Sequence, residues 1–282
     1  MSRIATAYET LRDDGLGGLS RELAEYCLRE PRLSRDAHRR LARAYYGSHT
    51  RADRAAYDAP FDPFSIEWVD PRRIERHTRR RYPPYKDREY RFGAVEGGDW
   101  DRRERPPVDP EYDGAPADLF VADRFAESTL YRSFEVRFEE GAAWTDTPLY
   151  EEACRLLETA PWRRHVWHGC ASEAELFERF DRLDALYASI SENGVESAYE
   201  RLDGDPDASF REWVRAEIAV DVGRDGELFL VCGKHRFSCA RLAGLRWIPV
   251  LFLVRHPEWM AHRDRMYRGA VDGGDHPDLR GL

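Results

Sequence analysis

Residues 217–254 read EIAVDVGRDGELFLVCGKHRFSCARLAGLRWIPVLFLV, and the order of patterns within them decides the fold class. Two β-rich runs, IAVDV and ELFLVC, flank Gly223-Arg224-Asp225-Gly226, a composition that predicts a hairpin because glycine and aspartate tolerate a tight turn. A helix over about 235–243 follows, stopped by Gly244, and then the apolar strand WIPVLFLV. Strands and helices mixed in this way predict an α+β fold with a small mixed sheet and helices packed on it.

The junction at Gly233 carries the chemistry. A strand, a glycine and a helix in succession gather free backbone N–H groups and the positive end of the helix dipole at one spot. Gly233 permits a sharp turn and a close approach to the backbone. Lys234, His235 and Arg236 add side-chain donors suited to phosphate, with Ser238 one turn further on. A turn of this kind needs a glycine in any case, and basic residues at a helix start are usually just solvated. Cations there nevertheless oppose the dipole by a few tenths of a kcal/mol each unless an anion offsets them. Lys234 is also one of only two lysines, with Lys86, among 44 basic residues.

VDVGRDGELFLVCGKHRFSCARLAGLRWIPVLFLVR resembles the ParB/sulfiredoxin-like superfamily: a hairpin with Arg-Asp-Gly, a Gly-x-His-Arg turn, an alanine-containing helix ending in glycine, then Ile-Pro-Val. Upstream, LDALYASISENGV resembles that superfamily's helix ending in Ser-Ile-x-x-x-Gly. The two boxes span roughly residues 180 to 255, with IEWVDPRRI as a first strand set apart by a long insertion. The resemblance implies a nucleotide- or phosphate-binding fold, used as a CTP switch in ParB proteins and for phosphotransfer in sulfiredoxins and free-serine kinases. It implies phosphate contacts for Gly233, His235 and Arg236, and a nucleoside di- or triphosphate with Mg²⁺ as ligand. Two departures stand out. Lys234 occupies the position of the sulfiredoxin cysteine, which argues against sulfinic-acid repair. Cys232 replaces an acidic residue common in relatives. The roughly 28 residues after the last strand leave no room for the DNA-binding and dimerisation domains of a partitioning ParB.

Around this core the chain divides into a helical N-terminal segment over 1–50, the main domain over 64–260 with an insertion at about 80–170, and a tail over 261–282. Residues 5 to 46 read as two helices broken by glycine and Pro31, and 47–63 as a linker rich in aspartate and proline. FSIEWVDPRRIERHT predicts a strand, a turn at Asp70-Pro71, then a helix. The stretch from Arg79 to Pro116 is dense in proline, glycine and charge and reads as a long ordered loop. Helical patterns follow over 120–141 and 147–160. The clearest helix opens at Ser172 with Glu175 in a capping box, runs along Leu176, Phe177, Phe180, Leu183, Leu186, Tyr187 and Ile190, and ends at Gly194.

Other clusters offer weaker chemistry. Asp99 and Asp101, after paired glycines, are candidates to hold Mg²⁺ beside a nucleotide, or simply a turn capping a helix. Cys154, His165, His168 and Cys170 are zinc-ligand types at a spacing that matches no standard site. Arg72, Arg73, Arg76, Arg79, Arg80 and Arg81 beside Tyr82 and Tyr85 form the one strongly basic stretch, which would grip nucleic acid or serve as a solvated face. With 53 acidic residues and a net charge of −9, wrapping of nucleic acid over the whole surface is disfavoured. The acidic, arginine-rich composition is that expected of a high-GC or salt-adapted genome. No Walker motif or Gly-x-Ser-x-Gly elbow occurs. The five scattered cysteines predict a reduced compartment, and the lack of a long apolar run predicts a soluble, cytoplasmic protein. The favoured expectation is a nucleotide-binding domain, possible chemistry being phosphotransfer or nucleotide hydrolysis; the alternative is a nucleic-acid-associated regulatory or nuclease-like module.

Overall fold

The apolar run before residue 255 becomes β6, Ile248–Arg255, which is buried along its whole length. The computed structural model describes residues 35–86, 88–112, 114–159, 169–201, 212, 216–271 and 274–282. The helices expected over 5–34, and His165 and His168, lie outside the described residues. The fold is α+β, with six strands in one open mixed sheet.

β6 is flanked by β1 (Ile66–Val69), antiparallel along its first half, by β3 (Ala94–Val95), parallel along its last two residues, and by β4 (Ala219–Val222), also parallel. β4 pairs antiparallel with β5 (Leu228–Cys232) through the expected hairpin, and β5 pairs parallel with β2 (Ile74–His77). Because β6 lies inside the sheet with both faces covered, its pattern is continuous rather than alternating. Ile248, Val250 and Phe252 pack into one core, while Leu251 and Leu253 pack into a second on the opposite face.

The first core is roofed by α3 (Thr129–Phe138), α4 (Pro148–Thr159), α5 (Glu173–Asn193) and α7 (Lys234–Leu242). α5 keeps the predicted limits: the Ser172 hydroxyl accepts from Glu175 N–H, and Gly194 ends it at φ +78°. Its Phe180 stacks on Trp144 with centroids 4.4 Å apart. Asp184, one turn on, binds Arg137 and the Trp144 indole N–H at 2.9 Å. The second core is covered by α1 (Arg35–Ser48) with Phe64 and Phe92.

Three segments differ from their sequence reading. The residues after Asp70-Pro71 make one 3₁₀ turn, Pro71–Arg73, and then strand β2, not a helix. Four residues are too few for helical periodicity to assert itself, and β5 offers a ladder that buries Ile74 and His77. The linker at 47–63 holds the short helix α2 (Arg51–Ala55) and is tied down where Ala59 N–H donates to Asp264 at 2.8 Å. The end of the expected tail is built into the fold. After α6 (Ala198–Arg201) and the hairpin, α8 (Pro257–Tyr267) and a 3₁₀ turn at Pro277–Leu279 close over the sheet. Buried Asp278 there binds Arg255, accepts from the Trp259 indole at 2.8 Å, and meets Arg263 at 3.1 Å. Among the described residues no helix is long and apolar enough to cross a membrane.

A second buried ion pair ties the sheet together. β6 carries an extra residue opposite Asp221, since Val220 faces Phe252 but Val222 faces Arg255. The Val254 N–H donates to Asp221 Oδ1 at 3.2 Å, and Asp221 Oδ2 accepts from Thr78 Oγ1 at 2.6 Å and Arg80 Nε at 2.8 Å. Asp221→Ala removes the close partner of the buried Arg80 guanidinium and leaves it only Glu96 at 4.0 Å; a loss of about 3 kcal/mol in urea unfolding is expected.

Burial pushes His77 down to about 3 and His276 down to about 4. Both rings therefore stay neutral in the fold while the unfolded chain protonates them near pH 6.5. Their contribution is complete above pH 6.5 and is lost as pH falls towards 4, each at about 1.4 kcal/mol per pH unit. Urea midpoints measured from pH 7 to pH 4 are expected to fall steeply, and His276→Gln to flatten the slope.

Candidate functional site

Gly233 stands where β5 ends and α7 begins, with φ +83° and ψ 19°. A Cβ there would sit 2.9 Å from both Cα and Cγ1 of Ile218, so the left-handed turn and the close passage of β4's entry both require glycine. The α7 N-terminus receives no side-chain cap. Its N-cap residue, being glycine, has no side chain with which to cap the first-turn N–H groups.

Lys234 is half-buried, and its ammonium lies 3.0 Å from the centroid of the Phe120 ring. Desolvation, reinforced by the neighbouring guanidinium of Arg179, lowers it to about 7. Its charge in turn acts on buried His77, whose Nδ1 lies 3.1 Å from the Thr78 carbonyl oxygen. Arg236 is also held below its ordinary range, first by burial; Glu217 attracts it while Arg201 and Arg88 repel it. Among the described residues, neither Lys234 nor Arg236 makes a side-chain hydrogen bond or ion pair. The α7 N-terminus thus gathers two partly buried cations, Lys234 and Arg236, at the positive end of a helix dipole, with Glu217 as the carboxylate that acts on Arg236.

His235 is turned partly inward, stacked on Phe134 with centroids 6.1 Å apart. Ser238 is fully buried and donates to the Lys234 carbonyl at 2.8 Å, so it stiffens α7 and does not face a ligand. Its place one turn along the helix put it on the core side. Cys232 borders the site: its Sγ lies 2.7 Å from Arg88 Nη1. The described cysteines Cys154, Cys170, Cys232 and Cys239 are free thiols, and Cys239 is pushed up to about 12 by burial.

Asp99 and Asp101 lie elsewhere. Both bind Arg224 in the β4–β5 turn, Asp99 at 2.8 Å and Asp101 at 2.7 Å. Burial alone would push Asp101 up, but hydrogen bonds from the Arg224 side chain and backbone outweigh it and hold the carboxyl below its usual range. That turn is at the opposite end of β5 from Gly233, about 17 Å away at the rise of a five-residue strand. The two carboxylates therefore clamp the hairpin and do not face the α7 N-terminus. Among the described residues no group of three or more His, Cys, Asp or Glu is arranged to hold a metal.

The arginine-rich stretch does not form one face. Arg72 pairs with Asp70 at 2.6 Å, Arg76 with Glu227 at 3.5 Å, Arg80 with Asp221 at 2.8 Å and Arg81 with Asp109 at 3.3 Å. Arg73 and Arg79 donate to the carbonyls of Asp275 and Ala122, both at 2.7 Å. Tyr82, Arg80, Arg81 and Lys86 do line a polar cleft of about 470 Å³, but Asp109 and Glu96 stand among them.

Three cations at the α7 N-terminus were not singled out by sequence. Arg88 sits in the long loop, Arg201 on α6 and Arg179 on α5. Arg179 had a legible signal: it falls three residues after Leu176 and one before Phe180, inside the apolar stripe of α5. Compared with protein-family models, with curated proteins and with solved structures, the chain matches none.

Since Lys234 is held near 7 in the fold and titrates near 10.4 when unfolded, the unfolded chain binds the extra proton between those values. The unliganded protein is penalised below pH 7 and recovers stability as pH rises towards 10. Lys234→Met is expected to raise unliganded stability at pH 7 by roughly 1 kcal/mol or more and to flatten the rise between pH 7 and pH 9.5, read from paired urea titrations.

Proposed function

We propose that this chain is a nucleotide- or phosphate-binding protein of ParB/sulfiredoxin-like type, with the phosphate seated on the N-terminus of α7. The observation that carries the reading is the state of Lys234 and Arg236: two cations beside a left-handed glycine, with no side-chain hydrogen bond or ion pair among the described residues. The sequence boxes support it independently, since the hairpin, the glycine turn, the following helix and Ile-Pro-Val occur in the order that the resemblance requires.

Within this reading, backbone N–H groups of the first helical turn and the Arg236 guanidinium bind phosphate oxygens, and Lys234 regains full charge when an anion enters. The chemistry that such a site favours is phosphotransfer: donors fixed before the ligand arrives stabilise charge on the transferred group. The paired state of the arginine-rich stretch and the net charge of −9 weigh against the nucleic-acid alternative.

The test is thermal stabilisation by ATP, ADP, CTP, GTP and pyrophosphate, with wild type beside Arg236→Ala and Lys234→Ala. A ligand at 100 times its Kd is expected to add about 2.7 kcal/mol. Stabilisation of the wild type that both variants lose supports the site; a folded protein indifferent to every one of these anions rejects it.

A further inference from the structure

The polar cleft of about 470 Å³ beyond the exit of β2 is separate from the α7 N-terminus, since none of Gly233 to Arg236 lines it. Its size is that of a small-molecule pocket. Backbone hydrogen bonds fix its walls before any ligand arrives. Tyr82 N–H donates to the Pro107 carbonyl and the Tyr82 carbonyl accepts from Asp109 N–H, both at 2.8 Å, which ties two arms of the long loop together. Glu96 N–H donates to the Arg255 carbonyl at 3.0 Å, so that wall is held to the end of β6.

Donors and acceptors alternate along these walls. Arg80 is almost fully buried and commits Nε and Nη2 to Asp221, at 2.8 and 3.3 Å. Its Nη1 makes no hydrogen bond among the described residues; Glu96 Oε2 stands 4.0 Å from it. That oxygen is itself buried and 3.6 Å from Arg91 Nη1, beyond hydrogen-bond range of either guanidinium, which leaves Oε1 to accept from a ligand. In a second group Asp109 holds Arg81 at 3.3 Å and Lys86 at 3.2 Å, and both cations are more than half exposed with N–H donors to spare. Pro83, Pro84 and Pro110 add rigid apolar surface.

Charge within the cleft is balanced. Asp221 neutralises Arg80, and the remaining cations, Arg81, Lys86 and Arg91, are matched by Glu96, Asp109 and Glu111. A charged ligand therefore gains no net attraction there. A hydroxyl group, which both donates and accepts, meets Arg80 Nη1 and Glu96 Oε1 together, and a second hydroxyl does the same at Lys86 and Asp109. We propose that this cleft binds an uncharged polyhydroxy compound, a sugar or a polyol, through Arg80, Arg91, Glu96 and Asp109, with the C–H faces of the ligand on the prolines. The site is independent of the anion reading at α7.

Saturation-transfer NMR on the full chain tests it, with glucose, galactose, trehalose, ribitol and glycerol as probes and succinate and glycine betaine as charged counterparts. At least one sugar or polyol is expected to bind, with an affinity unchanged between about 0.05 and 0.5 M NaCl, because the ligand carries no charge to screen. Ring and open-chain probes separate a sugar from a polyol. Glu96→Gln and Arg91→Gln, at positions open to solvent, are each expected to weaken binding about fivefold, the worth of one net hydrogen bond. Arg132→Gln, exposed on α3 and outside the cleft, is expected to leave it unchanged. Near-ultraviolet circular dichroism checks that each variant is folded. Tighter, salt-sensitive binding of succinate or glycine betaine, sugar binding that survives both cleft variants, or a folded protein that binds none of the sugars and polyols overturns the proposal.

Discussion

Asp221 is the residue on which the sheet depends. It lies fully buried in β4, and its carboxylate accepts from Thr78, Arg80 and the Val254 N–H that faces it across the extra residue in β6. One side chain thereby joins the exit of β2, the middle of β4 and the far half of β6. Without it the register of β6 has no compensation for its extra residue, and Arg80 keeps only Glu96, at 4.0 Å, at a depth where a poorly paired guanidinium is costly. The path of the chain after β2, and so of the loop that brings Arg88 beside Cys232, follows from that anchor.

The same principle, applied at Asp278, closes the other end of the sheet, where the C-terminal turn supplies the counter-charge for Arg255 and Arg263. An arginine-rich chain folds by giving each buried guanidinium a carboxylate or carbonyl. Against that background the α7 N-terminus is distinguished by what its cations lack. Lys234 and Arg236 differ from those pairs in making no side-chain hydrogen bond or ion pair among the described residues. The Phe120 ring gives the Lys234 ammonium a favourable cation–π contact, while burial is the main cause that holds both Lys234 and Arg236 below their ordinary ranges.

Much of this was legible in the sequence. The hairpin at Gly223–Gly226, helix α7, strand β6 and the limits of α5 follow from turn chemistry, capping and periodicity, all of which act within a few residues. The candidate position Gly233 to Arg236 was legible for the same reason. What failed was long-range. The segment after Pro71 became a strand because β5 offered an edge, and Asp99 and Asp101 became a clamp because Arg224 lay across the hairpin from them. Ser238 was misjudged because its hydroxyl had a carbonyl within its own helix.

The sequence by itself determined the local grammar: where the chain turns, which segments are helix or strand, and that a glycine opens a basic helix. Only the tertiary structure decided which charges find partners. Pairing depends on distance in space, and Arg80 lies 141 residues from Asp221 while Arg179, with no carboxylate bound to it among the described residues, comes from another helix to stand beside Lys234. Helix capping and turn chemistry are settled between near neighbours in the chain, but the burial of Lys234 and Arg236 and their repulsion by Arg179 and Arg201 exist only once α5, α6 and α7 have been brought together.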